Sequence, residues 1–298
     1  MTLSETDFTP VDSRDIPLLI RFLHKAHYEE SNHNIVNMFQ WRSQYPLWKF
    51  STENYCLLLG VHKGHLFCYM PLCDKVYFKE AILKAQSIFD QYSIPFELSC
   101  FTAEMKDYLL EILPNFHGIA EAEAADYVYL GEKLRTLSGK KLQKKRNSYN
   151  TFMYDYGNQY TTEEISESNI LEIDQYLDHW GLNKDHEYAQ YEKEGVKDVL
   201  AHFGLLPYTG LLIRIRGEIK AFIIGSMTSD RMVQINIEKA DPSIRGLYQA
   251  IEKDYLNRFY PTIELVNRED DMGIESLRKS KLSLDPITMI DKYRIKAQ

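Results

Sequence analysis

The order of apolar segments between residues 210 and 293 constrains the fold more than any other feature of the sequence. Three strand-like segments separated by short polar turns come first, which is typical of an antiparallel meander: 210–215, 221–224 and 232–237. A helix, a strand, a second helix and a closing strand at 288–293 follow. This order predicts an α/β fold of the α+β kind, in which a mixed central sheet is flanked by helices.

The first half of the chain repeats this order in a weaker form. A hairpin with a turn at Lys63 and Gly64 is followed by alternating helices and strands, which we place at 78–92, 95–100, 103–113 and 127–130. The repeat predicts two similarly folded domains in tandem. We place the N-terminal, more degenerate domain at 1–131 and the C-terminal domain at 132–298, and the second domain opens with a basic linker helix at 132–157.

Charged residues gather at two corners where a predicted strand ends. Asn236, Glu238 and Lys239 close one strand, and the segment 267–271 directly follows the strand at 263–266. The ends of strands and the starts of helices are where α/β sheets form ligand crevices. The alternative is that Asp270 and Asp271 cap a helix while Arg268 and Glu269 face water.

A second concentration of charge is basic and lies in the linker. Five cations are interleaved with apolar residues there: Lys140, Lys141, Lys144, Lys145 and Arg146. One interpretation is a solvated linker helix. The other is a docking strip for a polyanion such as tRNA, a nucleotide cofactor or an anionic lipid head group.

Composition limits the other possibilities. The net charge of −8 argues against coating of nucleic acid or membrane through the overall field, so an anionic partner must be bound locally. The N-terminus lacks the features of a signal peptide and no apolar run is long enough to span a bilayer, which predicts a cytoplasmic protein. The four cysteines form no C-x-x-C pair, so we expect reduced thiols and no metal site.

Three strings carry a resemblance to a known family. Residues 139–147, 237–240 and 267–282 look like the corresponding parts of the phosphatidylglycerol lysyltransferase C-terminal domain family. The order of elements also resembles the GNAT-type acyltransferase fold, here in two tandem copies. The resemblance covers nearly the whole chain.

The resemblance implies transfer of an activated acyl or aminoacyl group, from aminoacyl-tRNA, to an amine or hydroxyl acceptor without a metal ion. The acceptor is a small molecule, a peptide or a lipid. Two alternatives stay open: an N-acyltransferase that uses acyl-CoA, and a non-catalytic binding module that retains the fold. The loop 241–246 differs from the usual loop that binds the pyrophosphate of acyl-CoA, because Arg245 and Gly246 replace its spaced glycines.

Acyl transfer needs a proton acceptor for the nucleophile and donors for the leaving group and the oxyanion. Glu238 is our candidate base, and Tyr248 is the candidate proton donor. Residues expected to bind substrate or donor are Asn236, Lys239, Arg245, Gly246, Asn267, Arg268, Glu269, Asp270, Arg278 and Lys281. Arg278 and Lys281 share a helix face and are predicted to hold an anion together. The alternatives are that Glu238 pairs with Lys239 or Arg245, and Arg278 with Glu275.

Overall fold

The structure is a computed structural model that describes residues 8–62, 64–180 and 189–298. Its helices are α1 Ile16–Ala26, α2 Ile35–Trp41, α3 Phe78–Gln91, α4 Ala103–Ile112, α5 Gly131–Thr136, α6 Gln143–Tyr156, α7 Ile170–Trp180, α8 Ala189–Ala201, α9 Leu247–Phe259 and α10 Glu275–Leu282. The predicted helices at 78–92 and 103–113 correspond to α3 and α4. Lys63, in the predicted hairpin turn, lies outside the described residues.

The strands form two sheets. The first contains β1 Thr9–Pro10, β2 Leu47–Ser51, β3 Tyr55–His62, β4 His65–Tyr69, β5 Leu72–Cys73, β6 Glu97–Phe101, β7 Phe116–Ala120 and β15 Tyr293–Ala297. The second contains β8 Asp126–Leu130, β9 Tyr160–Glu164, β10 Thr209–Ile215, β11 Glu218–Ser229, β12 Met232–Ala240, β13 Leu265–Asn267 and β14 Thr288–Ile290. Within the described parts of the chain each sheet has one parallel pair, β4 with β6 and β12 with β13, among antiparallel ones. Both sheets are therefore mixed, as predicted.

Two strands are exchanged between the halves. β8 comes from the first half of the chain but lies between β13 and β14 in the second sheet. β15 comes from the last residues and lies between β6 and β7 in the first sheet. Strand pairing thus crosses residue 131 in both directions, and a domain boundary there stays a prediction.

Two details of the linker and the C-terminus differ from expectation. The single helix predicted at 132–157 is two helices, α5 and α6, because Leu137 ends α5 with φ 53° and Gly139 follows with φ 90°. The single closing strand predicted at 288–293 is also two strands, β14 and β15. These strands pair in different sheets, since the chain crosses between the halves after Ile290.

The hydrophobic core extends across the two halves. One cluster of buried side chains joins Phe22 and Phe39 of the first half to Val196 and Phe222 of the second. Two further clusters lie within the halves: α3 packs on the first sheet and α9 packs on the second. The shared cluster holds the sheets together through apolar burial, and it brings the segment between α1 and α2 against the middle of β11 and β12.

Candidate functional site

The second sheet opens into a crevice between β12 and β13. These parallel strands pair only over three residues of each, Met232–Gln234 with Leu265–Asn267. β12 then continues to Ala240 along β11, with a register shift opposite Ile224 and Gly225. Because β13 ends at Asn267, the later part of β12 has no strand partner on that side among the described residues. Side chains from both corners predicted by the sequence enter the gap.

Arg268 lies in this crevice between two carboxylates. Its Nη1 donates to Glu252 Oε1 of α9 at 2.5 Å, and its Nη2 donates to Glu238 Oε2 of β12. The side chains of Glu238 and Glu252 are only 7% and 3% exposed. The partner of Glu238 is therefore Arg268, and not Lys239 or Arg245 as the simpler alternative held.

Burial makes these two carboxyl groups weaker acids than exposed ones. It raises the pKa of Glu238 even though Arg268 opposes the shift. Burial likewise raises the pKa of Glu252 to about 7, and the nearby charge of Glu238 adds to the effect. The two buried carboxyl groups share this guanidinium, and the charge of Glu238 favours protonation of Glu252 near neutral pH.

Tyr248 and Lys145 border the same crevice. Burial raises the pKa of Tyr248 to about 12, and the charge of Glu238 contributes, so its hydroxyl stays protonated at neutral pH. Burial lowers the pKa of Lys145, and the charge of Arg268 acts in the same direction. Lys145 was predicted as part of an exposed strip, yet it is half-buried on the inner side of α6.

A second group of polar residues surrounds Glu269, which has φ 58°. Its Oε1 accepts from Gln234 Nε2 at 2.7 Å and from Asn37 Nδ2 of the first half at 3.1 Å. Burial raises the pKa of Glu269 to about 7. Lys281 Nζ donates to the carbonyls of Arg268 and Glu269, and burial lowers the pKa of Lys281 to about 8.

A third polar group lies where the exchanged strands meet. Asp126 accepts hydrogen bonds from Ser31 Oγ at 2.7 Å and from Asn267 Nδ2 at 3.1 Å. Lys292 Nζ lies 2.7 Å from Asp126 and 3.7 Å from Asp270. Burial opposes the charge on Lys292, but these two carboxylates raise the pKa of its ammonium group.

Other predicted residues of the first corner lie apart from the crevice. Asn236 is buried against the first half, where its Nδ2 donates to Asn34 Oδ1 at 3.3 Å. Lys239 points away from Glu238 and pairs with Glu192 of α8. Arg245 is exposed. The structure therefore does not bring these three side chains together with Glu238.

The glycine at position 246 is explained by the packing of the backbone. Its φ is 86°, and a Cβ there would lie 2.1 Å from the carbonyl oxygen of Ser148 in α6. The backbone just before α9 therefore packs closely against α6. This close approach requires glycine.

Arg278 and Lys281 do not meet at one anion site. Arg278 Nε and Nη2 donate to the buried carboxylate of Asp271 at 2.8 and 3.1 Å, whereas Lys281 turns inward to backbone carbonyls. The expectation that Asp270 or Asp271 caps the helix is wrong, because the N-cap of α10 is Ile274. Their carboxylates instead accept from the amides of Met272 and Gly273 in the preceding turn.

The basic segment is divided by its local contacts. Lys140 and Lys144 are exposed. Lys141 pairs with Asp285 at 2.7 Å, and Arg146 donates to the carbonyl of Gly139 at 3.2 Å. Only part of the predicted strip therefore faces outward with its charge available to a polyanion.

Six residues of these groups were not predicted from the sequence: Ser31, Asn37, Asp126, Gln234, Glu252 and Lys292. One signal was present for Glu252, a carboxylate that lies among the apolar, buried positions Leu247, Ile251 and Tyr255 of α9. Asp126 and Lys292 could not be paired from the sequence, because only the strand exchange brings them together.

Among the described residues, no helix is long and apolar enough to cross a membrane, and no group of His, Cys, Asp and Glu side chains is arranged to hold a metal ion. The cysteines are unpaired, and Cys56, Cys68 and Cys73 are buried.

Several known proteins are similar to this chain in sequence or in fold. An uncharacterised protein of Mycoplasmoides gallisepticum, MYCGA3080, is 30% identical over 183 residues, or 60% of this chain, and this match spans only 58% of that protein. A conserved protein of unknown function from Bacteroides thetaiotaomicron superposes with a TM-score of 0.91 at 28% identity, covering 98% of this chain and 99% of the other.

The structure of L-PGS from Bacillus licheniformis superposes with a TM-score of 0.67 at 15% identity, covering 94% of this chain and 91% of the other. The fold is that of tandem GNAT-like proteins, as predicted. The family model described as "Phosphatidylglycerol lysyltransferase, C-terminal" matches residues 24–296. The chain belongs to this family, which the three sequence strings had indicated.

Proposed function

We propose that this protein transfers an aminoacyl group from aminoacyl-tRNA to an amine or hydroxyl acceptor at the crevice between β12 and β13. The observation that carries the proposal is the pairing of Arg268 with Glu238 and Glu252 in a crevice that Tyr248 also borders. Membership of the phosphatidylglycerol lysyltransferase C-terminal family supports an aminoacyl donor.

The residues have complementary roles in this reaction. The acceptor's nitrogen or oxygen attacks the ester carbonyl, and Glu238 takes the proton that the acceptor loses. The bond from the carbonyl carbon to the tRNA 3′-oxygen breaks, and that oxygen receives a proton from Tyr248. Arg268 keeps Glu238 in place, while Glu252 holds the other side of the guanidinium. The raised pKa of Glu238 makes it a stronger base than an exposed carboxylate.

The contact of Gly246 with Ser148 favours tRNA over acyl-CoA as the donor. In an acyl-CoA enzyme of this fold the pyrophosphate binds to free amides at the start of the helix that follows the meander. Here the backbone of α6 packs directly against Gly246, the residue that precedes this helix. The exposed Lys140 and Lys144 on and before α6 offer positive charge to a longer polyanion, such as the acceptor stem of tRNA.

Transfer of label tests the proposal. The protein is incubated with bulk tRNA carrying labelled amino acids and, separately, with labelled acetyl-CoA, in the presence of an extract divided into small-molecule, peptide and lipid fractions. We expect label to leave tRNA for one fraction, and Glu238→Gln to slow this at least about a hundredfold. Glu275→Gln, at an exposed position on α10, is the matched control.

The alternatives give different results. Transfer from acetyl-CoA with none from tRNA would show an acyl-CoA-dependent N-acyltransferase. Saturable binding of either donor with no movement of label into any fraction would show a binding module that retains the fold.

A further inference from the structure

A cavity of about 510 Å³ lies between the two halves, away from the crevice of Glu238. One wall is formed by α1 and the segment that follows it, including Leu23, and the other by the end of β11 and the turn to β12. This volume is within the range of small-molecule sites in proteins. The proposed transfer does not use the cavity, since Glu238 turns toward Arg268 and α9.

The floor of the cavity is polar and uncharged. Asn34 Nδ2 donates to Ser226 Oγ at 2.9 Å, and Ser226 Oγ lies 2.8 Å from Asn236 Oδ1, to which it donates. Asn34 and Ser226 are 4% and 1% exposed. Beside them Thr228 Oγ1 is buried and has no hydrogen-bond partner among the described residues. A buried hydroxyl without a partner is costly unless a ligand or water supplies one.

Two charged side chains that line the cavity, Glu29 and Arg231, are paired with each other. The carboxylate of Glu29 accepts from Arg231 Nε at 2.9 Å and Nη2 at 2.7 Å, and Arg231 lowers the pKa of Glu29. His33 Nδ1 contacts the buried carboxylate of Glu30. A charged ligand end placed on the floor would meet only dipoles and would lose its hydration without gaining a counter-charge.

The opposite wall has an apolar part, beside His24, His27 and Tyr28, which also line the cavity. Ile20 and Leu23 of α1 line it, together with Ile35 at the start of α2. An aliphatic or aromatic body packed there gains by leaving water. The cavity therefore has an apolar side and a neutral hydrogen-bonding floor, with the unpartnered Thr228 hydroxyl on the polar side.

We propose that this cavity binds a small amphipathic molecule whose uncharged hydrogen-bonding end contacts Ser226 and Thr228 and whose apolar body lies against α1. The ligand contacts both halves of the chain. It adds a site distinct from the transfer site, and its existence depends on neither the donor nor the acceptor of the proposed reaction.

The test uses 3-phenylpropanamide, which has an aromatic body and a neutral amide end, in an NMR titration of methyl-labelled protein. We expect saturable shifts of the Ile20 and Ile35 methyl signals, while Ile251 in the core beneath α9 stays unchanged. The charged analogues 3-phenylpropanoate and 3-phenylpropylammonium should bind at least about tenfold more weakly.

Two variants identify the site. Thr228→Val keeps the shape but removes the hydroxyl, and should weaken amide binding about three- to tenfold. Thr161→Val, on the exposed strand β9, should leave binding unchanged. Leu23→Trp should fill the cavity and abolish the shifts. Absence of saturable binding by the amide, equal binding of the charged analogues, or full affinity in Leu23→Trp and Thr228→Val would overturn the proposal, whatever the outcome of the label-transfer experiment.

Discussion

Lys292 Nζ lies 2.7 Å from Asp126 Oδ1, and this buried ion pair stands where the two exchanged strands begin. Asp126 is the first residue of β8, and Lys292 directly precedes β15. Both side chains are at most 1% exposed. One pair thus connects the entry of each strand into the sheet of the other half, and Ser31 and Asn267 complete its hydrogen bonds.

Replacing Lys292 with Met should destabilise the protein by roughly 3–5 kcal/mol, because the carboxylate of Asp126 would remain buried without a counter-charge. Urea unfolding measures the change. Lys279→Met is the control, since Lys279 and its partner Glu275 are exposed and their pair should contribute less than about 1 kcal/mol. Adding Asp126→Asn to Lys292→Met should recover part of the loss. Equal effects of the two lysine variants would contradict the assignment.

The raised pKa of Glu252, about 7, predicts a pH-dependent contribution to stability. Its ordinary value is 4.5, so between pH 4.5 and 7 the folded state holds a proton that the unfolded state has lost. The contribution is fully present below pH 4.5 and is lost as the pH rises through 7. The difference in unfolding free energy between wild type and Glu252→Gln should therefore change with pH in this window. A constant difference from pH 4.5 to 8 would show an ordinary carboxylate.

Gly246→Ala should destabilise the protein more than an alanine at another left-handed glycine, because its Cβ would collide with the carbonyl of Ser148. Gly217 is the matched control: its φ of 87° is nearly the same, and no described atom lies within 4 Å of an added Cβ. The Gly217→Ala change should cost about 1 kcal/mol from backbone strain alone. We expect the cost at Gly246 to exceed this by at least about 1–2 kcal/mol in thermal unfolding. Similar melting temperatures would mean that α6 moves aside easily.

The exposed part of the basic segment should contribute to binding of tRNA. Changing Lys140 and Lys144 to Glu should weaken binding and flatten its dependence on salt concentration, as measured by filter binding from about 50 to 200 mM salt. The double change of Lys279 and Lys296 to Glu, at exposed positions on α10 and β15, alters the total charge equally and serves as the control. If the double variant of Lys140 and Lys144 had the same salt dependence of tRNA binding as the wild type, these lysines would belong to a solvated linker that does not contact tRNA.

Much of the fold followed from local patterns. The meander β10 to β12 and the helices α3, α4 and α9 have a clear periodicity of apolar residues, and the chain forms them where that periodicity indicated. The structure of the linker was harder to predict from the sequence. Nothing local to Leu137 signals a left-handed residue, since leucine rarely adopts this conformation and tertiary contacts must hold it there.

The site was predicted in part for a related reason. The charge at the two corners indicated that Glu238 and Arg268 lie near a strand end, and their contact depends on the short pairing of β12 with β13. Whether a charged side chain turns into the crevice or away from it depends on the register of β12, and its shift at Gly225 is a tertiary feature. Lys239 and Asn236 were predicted to belong to the site because they lie close to Glu238 in the sequence. The register of β12, which the sequence does not show, turns their side chains elsewhere.

The exchange of β8 and β15 has a consequence for how the chain can be made. The first sheet lacks the strand between β6 and β7 until residues 293–297 have left the ribosome, although its other strands are synthesised within the first 120 residues. During translation β6 and β7 therefore lack their common partner β15. Unpaired edges of this kind are the parts of a sheet most prone to wrong pairing. A fragment ending at residue 131 would keep those edges permanently and would carry β8 without its partners. We therefore expect the entire chain to fold cooperatively, and not as two independent units in sequence.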